Sequence, residues 1–177
     1  MKFHPMPPIE RVRQVLSYCP ESGLFNWNIT LSNRAKVGSK AGEPNTKGYV
    51  SIKIDGLQYK AHRLAWFFVH EQDPGVSEID HADLNKGNNR IDNLRLANRK
   101  QNNENIPIPK NNTSGIRGVS YQKLDKLWTA YIYHNKKRIH LGCFKEMACA
   151  VEVRRNAEAK MFTHHGIKPT SSEVGAA

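Results

Sequence analysis

Four side chains in the stretch EIDHADLNKGNNRIDNLRLANRKQNNEN, residues 78–105, could do chemistry together: Asp80, His81, Asn93 and Asn102. Asp80 and Asn102 offer hard oxygen donors of the kind that suit magnesium or manganese, ions that keep several waters and leave room for a phosphate oxygen. His81 titrates near neutral pH and can take a proton from water. Asn93 can hold an imidazole in place through a hydrogen bond. Such a set suits hydrolysis of a phosphodiester. A calcium loop starting at Asp83 fails on register, since its glycine position holds Asn88 and its closing glutamate position holds Leu94. An ordinary polar surface is the plain alternative, because asparagine runs commonly make turns.

For these residues to meet, the chain between them must fold back on itself. The pattern predicts a strand over 76–82, a loop over 83–90, a second strand over 91–97 and a helix beginning at 98. Upstream, Pro8 to Leu16 reads as a short helix with proline at its start. Short alternations follow, broken by the turn residues PESG, Lys47-Gly48 and Asp55-Gly56, and they read as a small meander. Ala61 to His70 is expected as a buried helix, with Leu64, Phe67 and Phe68 in register. Alternate prolines at 107 and 109 mark a semi-stiff linker over 106–113. Beyond it, 117–121, 128–134 and 137–141 read as strands and 146–162 as a helix. On that helix Met147, Ala150, Val151, Ala157 and Met161 share one face, interrupted by Arg154. The tail, 163–177, is expected to be disordered.

Composition narrows the partner. The 177 residues carry a net charge of +11, which points to nucleic acid in the absence of a basic amphipathic helix. The charge is uneven. Residues 1–109 hold 15 Lys and Arg against 11 Asp and Glu, whereas residues 110–162 hold 11 against 4. A hydrophobic content of 38% suggests modest cores. The three cysteines, Cys19, Cys143 and Cys149, form no CxxC pair, so neither a disulfide framework nor a structural zinc is expected. No apolar run is long enough for a membrane span, and the N-terminus lacks a signal-peptide core, so the expected location is the cytoplasm.

The motif as a whole resembles the HNH, or ββα-metal, nucleases of bacteriophage homing type, in the variant whose last metal ligand is asparagine. The resemblance rests on His62-Arg63-Leu64-Ala65-Trp66, Ile79-Asp80-His81, Asn89-Arg90-Ile91-Asp92-Asn93-Leu94-Arg95-Leu96 and Gln101-Asn102. It implies His81 as general base, Asn93 as the residue orienting it, and Asp80 and Asn102 as ligands of one divalent ion, Mg2+ or Mn2+. It also implies hydrolysis of DNA to 5′-phosphate and 3′-hydroxyl ends. One such site cuts one strand, so a monomer with no obligatory protein partner is expected to nick. Arg63, Arg95, Arg99 and Lys100 are candidate phosphate contacts, and His62 is expected to support the fold.

A second resemblance covers residues 115–162. Gly115-Ile116-Arg117-Gly118-Val119, Trp128-Thr129-Ala130-Tyr131-Ile132 and Leu141-Gly142-Cys143-Phe144 are similar to the Apetala-two/ethylene-response-factor DNA-binding domain, implying a three-stranded sheet backed by one helix. Alternation puts Trp128, Ala130 and Ile132 towards the helix, and Thr129, Tyr131 and Tyr133 with Arg138 and His140 on the other face. Arg117, Tyr131, Tyr133, Arg138 and His140 are therefore candidate contacts to double-stranded DNA.

The expected fold class is α+β. A meander and a ββα-metal core (76–105) make a nuclease domain over 1–105, followed by the 106–113 linker and an antiparallel sheet packed on one helix over 114–162. A regulator with a nuclease-like fold that binds DNA without cutting it is the competing expectation. An RNA-binding protein is a weaker third, since a three-stranded groove reader suits B-form DNA better than A-form RNA.

Overall fold

The computed structural model describes residues 5–163, and the chain divides into two compact units, residues 5–98 and 99–163. Apart from Thr163, the tail expected to be disordered lies outside the described residues.

In the first unit, α1 (Ile9–Val15) follows Pro8 and buries Val12 and Val15. It is shorter than the expected helix because Leu16 has already turned extended, at φ −131°. Leu16 opens β1 (Leu16–Cys19), which pairs with β2 (Leu24–Trp27) across the PESG turn, and β3 (Lys40–Ala41) adds to β2. β1 is too short to announce itself. Its alternation lasts two periods and merges with the apolar spacing of α1.

A second sheet contains β4 (Glu43–Pro44), β5 (Val50–Ile54) and β6 (Leu57–Lys60). Asp55 and Gly56, at φ +47° and +84°, make the expected hairpin turn between β5 and β6. α2 (Ala61–His70) follows and buries Leu64 and Phe67 as its spacing predicts. It stops at Glu71, which is left-handed at φ +55°.

β7 (Glu78–His81) and β8 (Leu94–Ala97) then form a two-stranded antiparallel ribbon with Asp80 opposite Arg95 and His81 opposite Leu94. Both strands are shorter than expected. Ile91–Asn93 makes a 3-10 turn instead of strand, pinned where Ile91 N–H donates to the Pro20 carbonyl at 3.3 Å. One apolar core, built on Phe25, Ile52, Ile54 and Leu64, takes in residues from both helices and from the ribbon (Ile79, Leu94).

The second unit begins with α3 (Arg99–Glu104), so the helix after β8 belongs here. Its sheet has the order β11-β10-β9, from β9 (Val119–Gln122), β10 (Leu127–His134) and β11 (Lys137–Phe144), and α4 (Met147–Met161) packs on it. A bulge between Ala130 and Tyr131 shifts the pairing with β11. The core here is small: Val119, Ala130 and Ala150, with Trp128, Leu141 and Phe144 packed around them. Arg154, which looked like an interruption of an apolar face, is itself buried, at 2% exposure. Gly118 makes the room. A Cβ there would lie 2.6 Å from the Arg154 Nε and 2.3 Å from the Tyr131 carbonyl oxygen. No helix among the described residues is long and apolar enough to cross a membrane.

Candidate functional site

The ribbon presents Asp80 and His81 side by side at the end of β7, both buried, at 5% and 4% exposure. Successive strand residues point to opposite faces, so the two side chains meet different neighbours. The Oδ2 of Asp80 accepts two bonds from the cross-strand Arg95, from Nε at 3.0 Å and Nη2 at 2.8 Å. The imidazole of His81 lies with its Nε2 3.3 Å from the Asn89 Oδ1. Burial holds the His81 pKa below its ordinary value, outweighing the Asn89 bond and the charges of Asp83 and Asp80, which pull it up. The ring is therefore neutral near pH 7, as a proton acceptor must be.

The loop from 82 to 93 is held largely by bonds that its aspartate and asparagine side chains make to one another and to the backbone. The Asp83 carboxylate accepts from the Asn88 amide at 2.7 Å, the Asn93 amide at 2.9 Å and the Asn85 backbone N–H at 2.8 Å. Asn93 also donates to the Asn88 carbonyl at 2.9 Å, and its Oδ1 accepts the Asp83 N–H at 3.0 Å. Burial pushes the Asp83 carboxyl up, but the bonds from Asn88, Asn85 and Asn93 and the nearby His81 win, and its pKa falls below the usual carboxylate value. Asn93 thus closes the loop that carries Asn89, with its backbone carbonyl accepting the Ala82 N–H at 2.9 Å. Its side chain ties loop to loop. Asn89 is the loop residue whose side chain lies within hydrogen-bond distance of the His81 ring.

The β1–β2 hairpin holds Asn89 from behind. The Tyr18 hydroxyl donates to the Asn89 carbonyl at 2.7 Å. At φ +70°, Gly23 lets the hairpin turn touch the Asn89–Arg90 backbone, where an added Cβ would sit 2.4 Å from the Arg90 nitrogen. Burial raises the Tyr18 hydroxyl pKa, so it stays protonated and donates.

Two rings pack against His81. His62 stands edge-on to it at 5.1 Å between centroids, and Tyr49 is 6.0 Å from His81 and 5.5 Å from His62. His62 is buried, and its Nδ1 has no hydrogen-bond partner among the described residues. Its pKa falls to about 3, mainly through burial and then through repulsion from His81 when that ring is protonated, and from Arg63 and Lys60. The ammonium groups of Lys86 and Lys60 lie 5.0 and 5.5 Å from the centre of the Tyr49 ring. Two cations thus stand beside the Tyr49 ring.

Sequence reasoning singled out Asp80, His81 and Asn93, which the first unit brings together. Asn102 lies on α3, in the second unit. Two candidate phosphate contacts have structural tasks: Arg95 holds Asp80, and Arg63 donates to the Ser77 and Gly75 carbonyls at 3.0 and 2.8 Å. Arg99 and Lys100 are exposed on α3. In the second unit Tyr133 pairs opposite Arg138 and Tyr131 opposite His140, with the Arg138 guanidinium 4.2 Å from the Tyr131 ring centre. Arg117 is half-buried in the turn before β9. The partners that sequence reasoning passed over are Asn89, Asp83, Tyr49 and Tyr18. Asn89 stood inside the quoted motif, whereas Tyr18 and Tyr49 are far away in sequence and carried no signal.

Residues 59–104 match the HNH endonuclease family, a segment that runs from the end of β6 through the whole ribbon to α3. The chain is also 42% identical over 73 residues to Protein 3.8 of Escherichia phage T7, a match covering 40% of this chain and 60% of that relative's length. No solved structure matches the chain.

Proposed function

We propose that the protein is a metal-dependent DNA endonuclease that hydrolyses phosphodiester bonds, nicking one strand and leaving 5′-phosphate and 3′-hydroxyl ends. The observation that carries this reading is the buried, neutral His81 beside Asp80, held by a hydrogen-bonded loop within the HNH-matching segment.

In this reading His81 takes the proton of a water that attacks phosphorus in line, and Asn89 and Asn93 keep the ring and its loop in position. The donor chemistry fits a hard divalent ion that keeps most of its waters. Asp80 supplies a carboxylate, Asn102 is proposed as a second oxygen donor, and among the described residues no three His, Cys, Asp or Glu converge on one point. Such an ion, when bound, supplies positive charge to the phosphate oxygens and to the leaving 3′ oxygen. Lys60 and Lys86 hold the phosphates entering beside Tyr49. Arg63 and Arg95 act through the fold, Arg95 by setting the Asp80 carboxylate.

The sheet of the second unit is proposed to seat duplex DNA through Arg117, Tyr131, Tyr133, Arg138 and His140, with Arg99 and Lys100 contacting phosphates. This is the bacteriophage homing arrangement that the sequence resemblance implies, with the protein acting as a monomer in the cytoplasm of its cell.

The competing reading, a DNA-binding regulator that does not cut, has one observation in its favour. The Arg95 guanidinium already neutralises Asp80 and takes one of its two oxygens.

Conversion of supercoiled DNA to open circles, with and without magnesium, separates the two. The wild-type protein is expected to nick only with the ion, and His81→Ala to nick about 100- to 10,000-fold more slowly while binding DNA equally well. Tight binding by both proteins with no nicking by either, on phage and host DNA alike, would overturn the nuclease reading.

A further inference from the structure

The second unit contains a cleft of about 880 Å3 that the proposed duplex-reading face does not explain. Tyr131 and Tyr133 line it, but Arg138 and His140, their partners on the sheet face, do not. β9 pairs with only the first half of β10, as far as Ala130. The rest of that β10 edge faces the segment running from α3 to Arg117, and the cleft lies between them.

Its walls combine two chemistries. Tyr131 and Tyr133 stand perpendicular to each other, 5.8 Å between centroids, and offer ring surface. Arg99, Lys100, Arg117 and Lys136 supply positive charge, against one carboxylate, Glu104, which already accepts the Thr163 N–H at 2.8 Å. Beneath them lies Arg154, 98% buried and ion-paired through Nη1 to Glu158 at 2.8 Å, whose Nε has no hydrogen-bond partner among the described residues. Burial depresses the pKa of both Arg117 and Arg154, the sign of guanidinium groups short of water. Such groups gain most from a bound anion.

A cavity of this size lies within the range of sites for small ligands, about 300–1,000 Å3. It does not admit a double helix, which needs an open face. Rings for stacking, set among cations that track a backbone, are what unpaired nucleotides bind. We propose that this cleft holds a few unpaired nucleotides of a DNA strand, with bases against Tyr131 and Tyr133 and phosphates on Arg117, Lys136 and the α3 cations. The cleft then shares Tyr131, Tyr133, Arg117 and the α3 cations with the proposed duplex-reading face and adds Lys136, so that a strand end or an opened segment is held at the margin of the duplex. The inference does not require that His81 be catalytic.

The test is equilibrium binding of the full chain carrying His81→Ala, so that no strand is cut. The probes are a labelled oligothymidine, the same strand annealed into duplex, and an oligouridine of equal length. Tyr133→Ala, at a side chain 57% exposed and therefore safe for the fold, is expected to weaken single-strand binding about five- to a hundredfold. It should weaken duplex binding less. Tyr133→Phe, which keeps the ring, and Lys123→Ala, outside the cleft, are expected to bind as the parent does. Equal loss on strand and duplex would assign Tyr133 to the sheet face alone and overturn the proposal, as would preferential binding of the RNA strand. A chain that proves unable to nick leaves these binding outcomes intact.

Discussion

Replacing His62 with leucine removes a buried imidazole of similar bulk and should change how stability depends on pH. In the folded chain His62 has a pKa of about 3, mainly because it is buried, against about 6.5 when unfolded. Below pH 6.5 the unfolded chain therefore binds a proton that the folded chain refuses. Stability from this residue is complete above that pH and drains away as pH falls towards 3. Between pH 8 and pH 5 the two pKa values give a loss of about 2 kcal/mol from this one group. The leucine variant should not lose it. It also relieves an unpartnered Nδ1, so it should be no less stable than wild type at pH 5. Urea unfolding followed by tryptophan fluorescence, with Trp128→Phe in both proteins, restricts the signal to Trp27 and Trp66 of the first unit. His81 titrates in both chains and cancels to first order in the difference. If wild type and His62→Leu lose stability in parallel between pH 8 and pH 5, His62 is not held as a neutral buried base and the reasoning fails.

Two further outcomes follow from the supports of His81. Gly23→Ala places a methyl group 2.4 Å from the Arg90 nitrogen at a positive φ. It should cost about 2 kcal/mol or more and slow nicking, with DNA binding by the second unit unchanged in a gel-shift assay. Asp83→Ala removes an acceptor shared by Asn88, Asn93 and the Asn85 N–H. It should cost about 1–3 kcal/mol and speed hydrogen exchange at Asn85; protection as strong as in wild type would mean that the carboxylate does not organise the loop.

The order of the elements was legible from local signals. Asp55-Gly56 marks a hairpin because a two-residue turn needs positive φ, and α2 shows its buried stripe because helical period places Leu64 and Phe67 on one side. The chemical identities of Asp80 and His81 were legible as well, since the pair stands in the Ile79-Asp80-His81 run ahead of Asn93 and Asn102, whereas His70-Glu71 has no such residues after it. What holds them was not. Asn89 reaches His81 through a loop whose closure depends on Asp83 and Asn93, and Tyr18 reaches Asn89 across a separation that no spacing rule spans, through the docking of the β1–β2 hairpin on the Asn89–Arg90 backbone. Arg95 read as a candidate phosphate contact and is found holding Asp80, because antiparallel register sets the two opposite each other. Arg154 read as a flaw in an apolar face and lies buried, because Gly118 opens space beside it. Residue type and short-range period therefore determined which groups could react and what elements carry them. Tertiary packing decided which of them are buried, neutral and in contact, because burial and pairing depend on neighbours that the chain brings from far away.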